Sequence, residues 1–184
     1  PNAMVMDYLK TSDTKDEKLL AYAGGMLDRG YKRLITFETS QKGYEWFGKA
    51  PGHEGRTAFG LMQFNDLIKV YEGVDEKMVD RTANWIMSQK DGKGGFKRNS
   101  YALHNFGQIS EEVMNGYIVY ALAEGGYTDI KKEAESSYET AMKNKDPYQL
   151  AMSANALYKL KDARADKAMN ALLETQDKDG SFNG

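Results

Sequence analysis

The chain has 184 residues, 41% of them hydrophobic, with a formal net charge of −2, two histidines and no cysteine. That length and apolar share suit one domain spanning residues 1–184, and the charge leaves no basic surplus for a phosphate backbone, so nucleic acid is not an expected partner. Disulfides, thiol nucleophiles and thiolate zinc sites are excluded within these residues, a metal site would have to be built mainly of carboxylates, and neither metal nor cofactor is expected.

Pro1-Asn2-Ala3-Met4 reads either as an expression scar or as native sequence. Val5 to Leu9 is the tail of a short helix, and Thr11-Ser12-Asp13 offers capping oxygens to the next. That helix runs from about Asp16 to Ile35 with one apolar stripe, Leu20, Ala23, Leu27, Tyr31 and Leu34. Gly24-Gly25 within it costs about 1 kcal/mol per glycine, which predicts a bend or a close helix contact.

Gly43 to Gly52 is a compact loop rich in glycine and aromatics, closed by Ala50-Pro51-Gly52. From about Thr57 to Tyr71 the chain turns apolar on nearly every side, with Ala58, Phe59, Leu61, Met62, Phe64, Leu67 and Ile68, which predicts a helix buried all round. His53 sits where the loop feeds that helix. Asp75 caps a striped helix over Glu76 to Met87, and Ser88 to Asn105 is a long, glycine-rich loop. Ser110 starts a second all-round apolar helix through Val113, Met114, Tyr117, Ile118, Val119 and Leu122. Thr128 and Asp129 open a striped helix on Ile130, Ala134, Tyr138 and Ala141. Asp146-Pro147 opens an inner-type helix containing Ala151, Ser153, Ala154 and Ala156. The last helix, about Ala163 to Thr175, is striped on Ala165, Ala168, Met169 and Leu172.

Striped and all-round apolar helices alternate, and no strand-period alternation is present. Two layers of helices satisfy this pattern, so the expected fold is all-α, an α/α solenoid or a two-layer α/α toroid. A degenerate repeat follows the striped helices: Ser88-Gln89-Lys90-Asp91-Gly92-Lys93-Gly94-Gly95-Phe96, Thr175-Gln176-Asp177-Lys178-Asp179-Gly180-Ser181-Phe182, and more weakly Ser40-Gln41-Lys42-Gly43-Tyr44. Each reads as a tight turn whose aromatic folds back as a plug, on one rim of the fold, with no ligand role.

A helix followed by Gln-x-x-Asp-Gly-x-Phe resembles the terpenoid-cyclase and prenyltransferase type of toroid, which includes the thioester domains of the alpha-2-macroglobulin and complement family. Gly30-Tyr31-Lys32-Arg33-Leu34, Trp46-Phe47-Gly48, Thr57-Ala58-Phe59-Gly60-Leu61, Trp85-Ile86 and Glu112-Val113 are similar to that second group over nearly the whole chain. Pro51-Gly52-His53-Glu54 resembles its bacterial branch. Pro1-Asn2 and Asp7-Tyr8-Leu9 resemble the run that soon follows the reactive Cys-x-Glu-Gln of bacterial members. The resemblance therefore favours a native start just after that motif, within an incomplete toroid.

What the resemblance implies is a fragment of a bacterial alpha-2-macroglobulin, a broad-spectrum protease-trapping inhibitor rather than an enzyme. Its partners would be proteases, reached through the parent protein, and the remaining domains of the same parent chain. Its setting would be the periplasm or cell envelope. With no cysteine, the chain cannot itself form a thioester. Self-association through uncovered apolar surface is a further expectation. The rivals are a toroid enzyme of the cyclase or prenyltransferase kind and a helical-repeat binding module.

His53 is the candidate catalytic residue, as a general base or an acyl acceptor in the parent protein through either ring nitrogen. The simpler reading is a hydrogen-bonded histidine beside a helix start, stabilised with Glu54. The loop Lys49 to Gly55 is expected beside the start of the first helix. His104 reads as an ordinary surface histidine, Tyr44, Trp46 and Phe47 as a hairpin plug, and Lys90, Lys93, Lys97 and Arg98 as a solvated basic loop.

Overall fold

Helix starts are set locally wherever a short polar side chain precedes an apolar run. Asp75, Ser110 and Asp146 each accept a backbone N–H from the first turn of the helix that follows, satisfying donors with no intrahelical partner. The computed structural model describes residues 2–12, 16–99 and 109–183. Over these it forms eight helices: α1 (Asn2–Thr11), α2 (Glu17–Ile35), α3 (Glu54–Val70), α4 (Glu76–Ser88), α5 (Glu111–Glu124), α6 (Lys131–Asn144), α7 (Pro147–Lys159) and α8 (Ala165–Leu173). Among the described residues the only β pairing is three isolated bridges.

Several boundaries differ from the sequence reading. The first helix begins at Asn2, and α2 is capped by Asp16, whose carboxylate accepts from the Leu19 N–H. Thr11 instead turns its hydroxyl back to the Asp7 carbonyl, while Asp13 lies outside the described residues. Neither Thr128 nor Asp129 caps α6: Ile130 holds that position with no side-chain cap, fixed by its burial. The largest shift is at α3, which begins at Glu54 rather than Thr57, so His53 is its N-cap.

The helices pack as two layers. The inner helices α1, α3, α5 and α7 contact one another in succession, and each of α2, α4, α6 and α8 backs onto its own inner partner. This is the α/α toroid arrangement. Its core runs through Ala58, Leu61 and Phe64 of α3, Ile118 and Leu122 of α5, and Leu150 and Leu157 of α7. Each such apolar side chain contributes about 1.5–3 kcal/mol by leaving water. As expected of a close contact, Gly24 faces the Met6 side chain of α1, where a Cβ would lie 3.7 Å away.

The inner helices are not buried all round. Phe59 is 57% exposed on α3, and Tyr148 and Tyr158 stand exposed on α7.

The repeat is real, and its common element is a bridge rather than the glutamine. Glu38 pairs with Tyr44, Lys90 with Phe96 and Gln176 with Phe182. The bridges put Gln89 one place before the position of Gln176. Tyr44 and Phe96 are buried plugs, whereas Phe182 is 42% exposed.

Candidate functional site

The junction of the glycine-rich loop with α3 is built around His53. Its N–H donates to the Tyr44 carbonyl at 2.9 Å, and its own carbonyl accepts the Thr57 N–H at 2.9 Å and the Thr57 hydroxyl at 2.7 Å. Thr57 Oγ1 in turn accepts the Tyr44 N–H at 2.8 Å, closing a ring of bonds between plug, cap and helix. The His53 side chain completes the cap, Nδ1 accepting the Gly55 N–H at 3.1 Å.

That bond fixes what the imidazole can do. With Nδ1 accepting, the neutral ring carries its proton on Nε2, so Nε2 is a donor and has no free lone pair. Attack or proton abstraction by His53 requires the other tautomer, which gives up the cap. Burial holds the His53 pKa below its ordinary value of 6.5, opposed by Glu54 and aided by Arg56 and Arg98, so the ring is neutral at pH 7.

Glu54 is 2% exposed. A buried carboxylate needs partners, and they come from the loop between α4 and α5. Arg98 Nε lies 3.1 Å from Oε1, and the Asn99 N–H donates to Oε2 at 3.2 Å. His53 Nδ1 stands 3.9 Å from the same Oε2, and the Asn99 amide reaches the Gly52 carbonyl at 3.0 Å. Two basic residues expected to be solvated are therefore anchors, because Lys90 likewise lies 3.6 Å from the buried Glu133. The neighbours of the Lys49–Gly55 loop include this loop, Gly43 and the Trp85 ring of α4 beside Gly52, and α5, where Met114 packs on Gly55. His104 lies outside the described residues.

The three aromatics separate. Tyr44 is the plug, packed on Phe64 at 5.4 Å between ring centroids. Trp46 and Phe47 are 48% and 73% exposed, with Arg56 stacked 4.5 Å over Trp46 and held at 2.6 Å from Glu45. The Glu54–Arg98 anchor escaped sequence reasoning, although a glutamate directly after the capping residue of an apolar helix was a visible signal. Among the described residues no group of three or more His, Asp or Glu side chains is placed to hold a metal ion.

Replacing His53 by alanine is expected to cost about 1 kcal/mol of stability through the lost cap, and asparagine should restore most of it. Because the folded pKa lies below the unfolded value, this contribution is complete above pH 6.5 and is lost as pH falls through the folded pKa. Urea melts of wild type should weaken on acidification from pH 7 more than those of His53→Asn. Equal slopes would show that the ring does not titrate with folding.

The A-macroglobulin TED domain family model matches residues 1–183. Among curated proteins, thioester-containing protein 1 of Anopheles gambiae is similar in three alleles. Allele S1 is 22% identical over 198 residues, covering 100% of this chain and 15% of that protein. Allele S3 is 23% identical over 134 residues, 71% of this chain and 10% of that protein. Allele R1 is 22% identical over 185 residues, 95% of this chain and 14% of that protein. The chain thus spans at most 15% of the length of these relatives. With its two helical layers and a family match from end to end, the chain belongs to the A-macroglobulin TED domain family.

Proposed function

We propose that this chain is part of the thioester domain of a bacterial alpha-2-macroglobulin-like protease trap. Proteases are its targets through the parent protein, the remaining domains of that protein are its immediate partners, and the periplasm or cell envelope is its setting. It turns over no substrate of its own. The observation that carries the reading is the family match over residues 1–183, and the likeness of Pro51-Gly52-His53-Glu54 to bacterial members supports the branch. No described helix is long and apolar enough to cross a membrane.

Because the chain has no cysteine, any thioester of the parent is built from a cysteine outside these residues. In this reading the segment supplies the scaffold around it. His53 serves there first as the cap that ties plug, α3 and the Glu54 anchor together, and acyl transfer by its ring would require release of that cap.

The test uses the intact parent protein. Cleavage by an added protease should yield a covalent trap–protease adduct on denaturing gels, abolished by methylamine and by substitution of the thioester cysteine. A parent gene without Cys-x-Glu-Gln, or a trap that forms no adduct, overturns the reading. His53→Ala and His53→Asn in that parent should leave adduct formation per folded molecule unchanged. A loss of about 10²- to 10⁴-fold in both would assign the ring to acyl transfer.

A further inference from the structure

Residues 97–99 form a strap across the His53 junction, and its near end is pinned. The Lys97 N–H donates to the Gln89 carbonyl at 2.7 Å, just outside the Lys90–Phe96 bridge. The next two residues cross to the start of α3. There Arg98 Nε stands 3.1 Å from Glu54 Oε1, the Asn99 N–H donates to Glu54 Oε2 at 3.2 Å, and Asn99 Nδ2 donates to the Gly52 carbonyl at 3.0 Å.

His53 stands beside the same carboxylate. Its Nδ1 lies 3.9 Å from Glu54 Oε2, the oxygen that holds the Asn99 N–H, while accepting from Gly55 at 3.1 Å. In the neutral ring the Nδ1 lone pair is spent on Gly55 and makes no demand on Glu54. A proton on Nδ1 reverses this: the Gly55 N–H loses its acceptor, and the new N–H needs one of its own. Glu54 Oε2 is the carboxylate atom within reach.

The charges around the ring point the same way. Glu54 and Arg56 face it from α3, Glu45 from the plug loop and Arg98 from the strap. At Gly52 and Gly55 on either side of it, α4 brings the Trp85 ring and α5 brings Met114, neither of them charged. Glu45 and Arg56 pair with each other at 2.6 Å. That leaves one carboxylate, Glu54, between two claimants, an imidazolium at position 53 and the guanidinium of Arg98.

We propose that a proton on His53 and the strap Arg98–Asn99 compete for Glu54, so that acid releases the strap while the helices stay folded. Linkage gives the sign. Burial of the ring and the nearby Arg98 charge hold His53 below its ordinary value of 6.5, and release of the strap relieves both. The anchored state is therefore fully favoured above pH 6.5 and gives way as pH falls through the lower, anchored pKa. Each pKa unit between the two states makes release about tenfold more favourable in acid. The covering of Glu54 and of the first turn of α3 thus depends on pH, and this holds whether or not the parent protein is a protease trap.

The test is amide hydrogen exchange on the whole chain, corrected for intrinsic rates, from about pH 7 to about pH 5. Protection at Asn99 should fall by about tenfold, while far-ultraviolet circular dichroism keeps its full helical signal. His53→Asn keeps a capping oxygen but has no proton to gain, so Asn99 protection in that variant should be flat over the range. Arg98→Met removes the competing cation and should raise the titration midpoint of His53, read from the imidazole proton resonance that His53→Asn deletes. Flat protection in the wild type, or a His53 midpoint unmoved by Arg98→Met, would overturn the proposal. So would an equal fall in His53→Asn, which would assign the release to protonation of Glu54 itself.

Discussion

Phe64→Ala should destabilise the chain more than any other single truncation near the site. Phe64 is 1% exposed and is the wall on which two layers meet, with Tyr31 of α2 edge-on at 6.2 Å and the plug Tyr44 at 5.4 Å. Removing the ring takes away its transfer free energy and leaves a void bounded by two aromatic rings. Tyr44 cannot fill it without giving up its bonds to Thr57 and Met78. The expected loss is about 3–5 kcal/mol, which for a domain of this size lowers Tm by roughly 10 °C. Phe64→Leu should lose much less, because it keeps most of the volume. Thermal melts followed by circular dichroism decide the matter. A Phe64→Ala shift no larger than that of Phe64→Leu would mean that the plug is not seated on this ring.

Gly52→Val should be the next most damaging, for a steric reason. The loop doubles back so closely that a Cβ on Gly52 would lie 2.7 Å from Gly43 Cα and 2.8 Å from the Trp85 ring. Neither obstacle is the loose end of a side chain, so the backbone itself must move. Overpacking of this kind costs about 1–3 kcal/mol. The movement is transmitted at once to His53, the next residue, and to the Asn99 amide bonded to the Gly52 carbonyl. Faster hydrogen exchange at Gly55 and Asn99, together with a lower urea midpoint, is the expected signature. Protection unchanged at both amides would show that the loop absorbs the side chain without disturbing the cap.

These two positions also mark how far the sequence could be read. Helix identity and the order of the layers were legible, because a cap such as Asp75, Ser110 or Asp146 and a stripe such as Ala23, Leu27 and Tyr31 act within a few residues of one another. The aromatic plugs were legible as a repeat for the same reason. Their true register was not, since the bridges Glu38–Tyr44 and Lys90–Phe96 depend on which backbone groups face each other. His53 was legible as a hydrogen-bonded histidine at a loop–helix junction beside Glu54, but the particular bond it makes, Nδ1 to the Gly55 N–H as N-cap of α3, was not. Moving the start of α3 from Thr57 to Glu54 turned a loop histidine into a capping one.

By itself the sequence determined that the described residues are helical and layered in pairs and that these 184 residues hold no cysteine, because those properties follow from local periodicity, local capping and composition. Tertiary structure decided which apolar faces are covered and which charges are anchored. Periodicity reports that a face is apolar, but whether water reaches it depends on what packs against it. Phe59 is exposed on an inner helix while Ala58 and Leu61 of the same helix are fully buried. Likewise no local pattern ties Glu54 to Asn99, 45 residues away. That pairing exists because burying a carboxylate at the start of α3 is unfavourable until the loop from α4 folds over it and supplies the missing donors.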